Sequence, residues 1–399
     1  MTQSRGADER VLIPTGHDAA SYVCVRSLAD RGVGAVVASD KDGVPAGASR
    51  YCAESVSLPP PRDDLIAYRD ALLSLAERPS IRTVIPVRPE DCYVLSRYRD
   101  EFEEHVSLPV PSLDQLRAVQ DRLQLAAVAE SAGVPVPETQ RLSAVDDWEG
   151  QRIVKSRYNV LADAFVEGMS PSEVDVVKDV HHVEPGDVPD ADALREEMDH
   201  DPIVQEFVPY DDEYMFAGIY DHGEPLATFQ HRQIRGTSYT GGGGVYRRSV
   251  YVPELEQVAR ALLSELDWHG LACIEYMHDA DTGEFVLTEI NPRMWQSLPS
   301  TVRAGVDFPY HYWLLATGRA DEINPDYELG VGSHFLHGEL AYLTSVLNED
   351  SPLVERPSVA GSLWAVAISI LTEPHFDYFA IDDPGPFLRG VLNTLPVEV

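Results

Sequence analysis

The chain of 399 residues is almost without lysine: Lys41, Lys155 and Lys178 are the only three, and arginine supplies the rest of its 31 basic residues. Against them stand 66 acidic residues, for a formal net charge of -35 that is spread along the chain rather than gathered in a tail. A field of that sign repels nucleic acid and anionic membrane surfaces, so neither is expected as a partner. Acid-rich, lysine-poor surfaces resemble those of salt-adapted archaea, where carboxylates keep the surface hydrated and salt screens their repulsion. In such a chain a retained lysine is a candidate for a specific role.

Cysteine is also scarce. Cys24, Cys52, Cys92 and Cys273 contain no CxxC pair, which argues against structural zinc and a disulfide framework and predicts reduced, mostly buried thiols. No apolar run approaches the ~20 residues of a membrane helix. The start, MTQSRGADERVLIP, lacks the apolar core of a signal peptide, so a cytoplasmic protein with a loose leader of about ten residues is expected. The first strand–helix turn reads PTGHDAAS rather than GxGxxG, which disfavours a dinucleotide-dependent dehydrogenase.

What is present is alternation of elements. VLIP (11–14), GAVVAS (34–39) and TVIPV (83–87) read as strands, with helices over 18–31 and 63–78, a pattern that predicts a parallel sheet with crossover helices. Residues 113–132 read as one helix, with Asp121 and Arg122 inside it, ended by Gly133 and the prolines of VPVPET. RIVKS (152–156) is a short strand. The acidic, weakly patterned stretch 157–201 is expected to form a small mobile lobe with one strand at VDVVKDV (174–180). IVQEF (203–207) is a strand followed by a polar connection, VPYDDEY, and 214–220 with 225–232 form the arms of a hairpin. RGTSYTGGGGVYRR (235–248) reads as a flexible glycine-rich loop; Gly241 to Gly244 suit a lid, with plain disorder as the alternative, and Arg247 and Arg248 are placed to close over a substrate; it is not a Walker A loop, since no Lys-Ser or Lys-Thr follows. A helix over 253–266 precedes a second hairpin, 273–291, with its turn in DADTG; a helix near 338–349, the apolar stretch LWAVAISIL (363–371) and a proline-studded tail complete the chain.

The second hairpin carries the most informative residues. Glu289, Asn291 and Arg293 fall at every second position where the strand FVLTEIN runs into Pro292, so their side chains share one face. Folding about DADTG sets Glu275 roughly opposite Glu289. Two carboxylates and an amide oxygen then converge at one sheet end, which is costly unless a cation compensates. Mg²⁺ suits such oxygen ligands, with Mn²⁺ as a substitute, and Arg293 would face phosphates held beside the metal. A surface hairpin of solvated acids is the bland alternative. Lys155 ends its strand as a compact ammonium suited to phosphate oxygens. Arg232 and Arg235 carry guanidinium forks suited to carboxylate or phosphate, with pairing to local acids as the alternative. Trp295, Gln296 and Ser297 follow the motif as candidate pocket residues, although Trp295 also suits a core.

These motifs resemble the ATP-grasp superfamily, and most of all its carboxylate–amine ligases. ESAGVPVPET (130–139) is similar to the opening of the ATP-binding lobe, RIVKS to its lysine strand and VQEFV (204–208) to its hinge. HRQIRG and TGGGG resemble the basic strand and closing loop, and CIEYM and TEINPRMW the two metal-binding strands. The resemblance implies an α/β fold with an N-terminal Rossmann-like domain (1–112), an ATP-grasp domain (113–318, with a small lobe at 139–206 and a large lobe at 207–318) and a C-terminal segment (319–399) packed on it. It implies that Lys155 meets the α- or β-phosphate, that Glu206 and Val208 offer backbone groups to adenine, and that one of Asp211, Asp212 and Glu213 meets the ribose. Lys178 is either a second nucleotide lysine or a surface residue paired with Asp175 or Asp179. Glu275, Glu289 and Asn291 would hold Mg²⁺, while Arg293, Arg235 and Arg232 would serve catalysis. The implied reaction is ATP-dependent ligation of a small carboxylate, such as an amino acid, to an amine through an acyl phosphate. Carboxylation through carboxyphosphate and a non-catalytic ATP sensor or assembly subunit are the alternatives, and a homodimer is the base-rate assembly. The chain departs from the family in two places: SRYNVLADAFVEG lacks a glycine-rich phosphate loop, and Arg122 stands where some members carry lysine.

Overall fold

Three apolar runs and one edge segment build the first sheet. β1 (Arg10–Pro14), β2 (Gly34–Ser39), β3 (Glu54–Ser57) and β4 (Ile81–Val84) lie parallel in the order β3-β2-β1-β4. Parallel neighbours need crossovers, and the helices Ala19–Asp30 and Leu65–Ala76 provide them. The computed structural model describes residues 9–394 except 178, 352 and 353; most of the expected leader and Lys178 lie outside the described residues. β4 ends earlier than TVIPV suggested, since Pro86 has no N–H for a ladder and its carbonyl instead accepts from Met294 N at 3.0 Å.

The run 113–132 is two helices, not one. Leu113–Gln120 and Arg122–Ser131 meet at Asp121, whose backbone is extended (φ -89°, ψ 106°) and whose carboxylate accepts from Leu123 N. The same carboxylate receives the Arg157 fork, Nε at 2.8 Å and Nη2 at 2.5 Å. Aspartate favours a cap over a helix interior, and a cation arriving from outside the segment fixes that choice.

The next unit has its own core of Leu142, Val154, Val183, Leu194, Met198 and Val204. Its strands are β5 (Thr139–Arg141), β6 (Arg152–Lys155), β7 (Leu161–Ala162), β8 (Val174–Asp175), β9 (Val180–Val183) and β10 (Ile203–Glu206). Four form an antiparallel sheet, β5-β10-β6-β9, and β7 pairs with β8 apart from it. The single strand expected over 174–180 is divided between β8 and the start of β9. The helix Ala191–Met198, capped by Asp190, was masked in the sequence by its acidic composition.

The largest sheet is antiparallel, ordered β15-β14-β11-β12-β13-β16, from β11 (Tyr210–Asp221), β12 (Glu224–Ser238), β13 (Gly241–Val250), β14 (Gly270–Asp279), β15 (Phe285–Asn291) and β16 (Gly332–His334). Most of the polar connection VPYDDEY is thus strand. The glycine-rich stretch is strand as well, pairing Gly236 with Gly244 and Ser238 with Gly241. A Cβ on Gly236 would lie 2.7 Å from the Gly241 carbonyl oxygen, so glycine here permits close backbone approach rather than disorder. Arg247, fully buried, donates to the Gly244 carbonyl at 2.7 Å and pairs with buried Asp377, tying this hairpin to the C-terminal segment. Arg248 pairs with Glu373 at 2.6 Å, so both arginines expected to close over a substrate are instead held by acids of the C-terminal segment. β16 and the helices Leu336–Asn348, Val359–Thr372 and Gly385–Thr394 form that segment, with Asp383 accepting from Ser49 of the first unit at 2.5 Å. Among the described residues no helix is long and apolar enough to cross a membrane.

Replacing Asp121 by alanine removes a helix cap and leaves the Arg157 guanidinium without its partner. The expected loss is about 3 kcal/mol of stability, read as a lowered midpoint in urea unfolding.

Candidate active site

The strand register places the acids. Glu275 stands directly across from Glu289, and Cys273 from Asn291. The Glu289 carboxylate is met on both oxygens: Asn291 Nδ2 donates to Oε1 at 2.6 Å, and Arg122 Nη2 lies 3.6 Å from Oε2. Arg293 Nη2 donates to Asn291 Oδ1 at 3.3 Å, and its Nη1 to the Met294 carbonyl at 2.9 Å. The first unit steadies this strand end, since Cys92 Sγ donates to the Pro292 carbonyl at 3.3 Å and Met294 N to Pro86. Arg122, just past the helix break, is held by a 2.7 Å bond from Nη1 to the Ser156 carbonyl. Lys155, at the end of β6, reaches toward the same acids from the small sheet.

The electrostatics follow from that crowding. Burial works to raise the Glu289 pKa, but Arg122, the Asn291 hydrogen bond, Lys155 and Arg293 outweigh it and hold the carboxyl below its ordinary range. The Lys155 ammonium is pushed down to about 7, first by burial and then by Arg122, while Glu289 and Glu275 pull the other way. Beside these groups opens a cavity of 270 Å³, whose wall includes Glu213, His231, Gln233, Glu275, Trp295 and Gln296, with the backbone of Gly242 to Gly244 across from them. Burial pushes Glu213 up to about 7 against the hydrogen bond it accepts from Gln233 Nε2. Burial, reinforced by Arg247, pushes His231 down to about 3, so its imidazole is neutral, and among the described residues its Nδ1 has no hydrogen-bond partner. The arrangement combines paired acids, three cations and an adjoining polar cavity at the junction of two sheets.

No known family profile matches the chain. A stretch of 50 residues is 42% identical to acetyl-CoA carboxylase 1 of Arabidopsis thaliana, but it covers 12% of this chain and 2% of that protein. Comparison of folds reaches further. The ADP complex of an N5-carboxyaminoimidazole ribonucleotide synthetase aligns at TM-score 0.57 and 18% identity over 83% of this chain and 82% of the other. The L-amino acid ligase of Bacillus licheniformis aligns at 0.56 and 14% identity over 80% and 78%. Pyruvate carboxylase of Rhizobium etli aligns at 0.58 and 17% identity over 82% of this chain, which spans only 30% of that enzyme. The chain has the ATP-grasp fold.

The β5–β10 unit, where the small lobe is expected, meets the six-stranded sheet, where the large lobe is expected, at the place where Lys155, Glu275, Glu289, Asn291 and Arg293 gather. Two other arginines do not join them. Arg232 lies one residue from Gln233, turns to the opposite face of β12 and pairs with Asp212 at 2.6 Å. Arg235 forms a bidentate pair with buried Glu339 at 2.8 and 2.9 Å, donates to Ser369 Oγ at 2.7 Å, and lies over the Tyr246 ring at 4.9 Å. Both are occupied by ion pairs, the alternative left open by the sequence; for Arg235 the partner comes from over a hundred residues away. Glu206 turns its carboxylate to the Glu138 N–H at 3.0 Å, and Val208 is buried. Of the three hinge acids, Glu213 faces the cavity, whereas Asp211 pairs with His278 at 2.7 Å and Asp212 with Arg232.

Arg122, His231 and Gln233 are the site residues that sequence reasoning did not select. The available signal was alternation: His231 and Gln233 share a strand face that Arg232 leaves.

Glu213 has a measurable consequence for stability. Its folded carboxyl holds a proton to about pH 7, whereas the ordinary value is 4.5, so stability is lost as pH rises across that window. Glu213→Gln lacks this loss. It is expected to exceed the wild type by about 3 kcal/mol above pH 7, with the difference vanishing below about pH 4.5, as read by urea unfolding of the ligand-free protein.

Proposed function

We propose that the chain is an ATP- and Mg²⁺-dependent carboxylate–amine ligase that forms an amide or peptide-like bond through an acyl phosphate and releases ADP and phosphate. The observation that carries this reading is the convergence of Glu275, Glu289 and Asn291 with Lys155, Arg122 and Arg293 beside one cavity on the large sheet. The donor set fits a hard divalent cation: two carboxylates in register, with an amide oxygen alongside. Glu275, Glu289 and Asn291 would hold Mg²⁺, which when bound neutralises phosphate oxygens; Mn²⁺ would serve in its place.

The remaining work belongs to the chain's own side chains. Lys155 would supply a positive charge to the α- or β-phosphate: burial lowers its pKa, and an arriving anion raises it again and favours the charged ammonium. Arg293 and Arg122 face the region where negative charge develops on the transferred phosphoryl group. Glu206 and Val208 belong to the hinge that would receive adenine; among the described residues the Val208 backbone N–H and C=O have no hydrogen-bond partner. Glu213 is placed in the cavity to accept from ribose hydroxyls. Phosphoryl transfer to the substrate carboxylate leaves ADP. Attack of the amine nitrogen on the acyl carbon then expels phosphate, and exclusion of water protects the acyl phosphate between the two steps. The acid joined would be a small amino acid or short peptide-like carboxylate. A reaction that consumes ATP would run in the cytoplasm.

A second reading, carboxylation through carboxyphosphate, is favoured by the short likeness to a plant acetyl-CoA carboxylase. ADP release in concentrated potassium chloride, with pooled amino acids or with bicarbonate as the added acid, separates the two. Stimulation by an amino acid pool supports ligation, and stimulation by bicarbonate alone transfers the assignment to carboxylation.

Glu289→Ala should reduce stimulated turnover by about two to three orders of magnitude while the circular dichroism spectrum is retained. Unchanged turnover in that variant would sink the site assignment. Arg293→Ala is expected to lose about a hundredfold in kcat/KM, whereas Arg232→Ala, on the far face, should stay within about twofold of wild type.

A further inference from the structure

The helix Val359–Thr372 is built inside out. It buries Ser362, Val366 and Ser369, two of them hydroxyl residues, while Leu363, Trp364, Ile368 and Leu371 are exposed. Trp364 is 69% exposed and Leu371 75%. The neighbouring helix Leu336–Asn348 also leaves two leucines, Leu340 and Leu347, exposed. The two helices touch through the Tyr342 and Ser362 hydroxyls at 3.4 Å.

Charge makes the face more unusual. A chain that is 24% charged would place about six charged residues in these two helices of 13 and 14 residues. It places one, Glu339, and buries it against Arg235 and His334. The helical pair therefore presents no exposed charge on a molecule of net charge -35. Exposed apolar side chains gathered on two packed helices mark an interaction surface.

We propose that this two-helix face is the interface of a homodimer, its occupant a second copy of the same chain across a two-fold axis. Two molecules of net charge -35 repel each other over most approaches, and a face without charge is where that repulsion opposes contact least. A basic partner would be matched by exposed carboxylates, which this face lacks, and an anionic bilayer would be repelled by the acidic surroundings. The interface would also bear on the catalytic lobe. Ser369 on the inner side of the outer helix accepts from Arg235, and Arg235 lies on the β12–β13 hairpin whose glycine strand walls the cavity.

Sedimentation velocity of the full chain in concentrated potassium chloride tests the proposal. The wild type is expected at twice the 44.2 kDa chain mass. Trp364→Glu and Leu371→Glu should each sediment as monomers with unchanged circular dichroism. If either aggregates, Leu340→Gln on the neighbouring helix should weaken the dimer at least about tenfold. A monomeric wild type at every concentration overturns the proposal, as does a dimer that tolerates all three substitutions. Flotation of a monomeric wild type with neutral phosphatidylcholine vesicles would also overturn it and give the face to a bilayer.

Discussion

Two carboxylates face each other across the β14–β15 hairpin, and much of the architecture answers to that pair. Glu275 and Glu289 are cross-strand partners at one end of the large sheet, where like charges raise each other's cost of ionisation. The compensating cations come from separate parts of the chain. Arg122 arrives from the helix pair that leads into the small lobe, Lys155 from the end of a small-lobe strand, and Arg293 from just beyond the acids themselves. A site assembled this way lies at a lobe junction and depends on the relative position of the two sheets. It also sets both signs of charge side by side.

Arginine serves two purposes in this molecule. Arg157 clamps Asp121 and with it the break between two helices; Arg247 joins the glycine strand to Asp377; Arg235 joins the same hairpin to Glu339 and Ser369. Each is a planar fork matched to a carboxylate, a geometry that lysine cannot reproduce. These pairs hold the glycine-rich strand as sheet, so the closing wall of the cavity is an ordered ladder fastened from behind by the C-terminal segment. Strongly acidic surface and arginine-bound interior also leave the uncharged pair of C-terminal helices as an exception that electrostatics alone does not explain.

The sequence by itself determined the parallel first sheet, the two hairpins and the face shared by Glu289, Asn291 and Arg293. These follow from local rules: apolar runs spaced by helices, turn residues in DHGE and DADTG, and the strict alternation of strand side chains. It also marked Lys155, because a lone lysine at the end of a β-branched strand stands out where lysine is rare. Tertiary structure decided what depends on distant partners. Asp121 breaks a helix because Arg157 reaches it, and Arg235 is withdrawn from the cavity because Glu339 lies beside it. Four glycines form a strand rather than a loop because a second backbone runs close enough to pair with them. Arg122 enters the site only once the small lobe folds back over the large sheet. Local pattern encodes which face a side chain takes; which charge waits opposite that face is set by chain segments far away in sequence, and only packing brings them together.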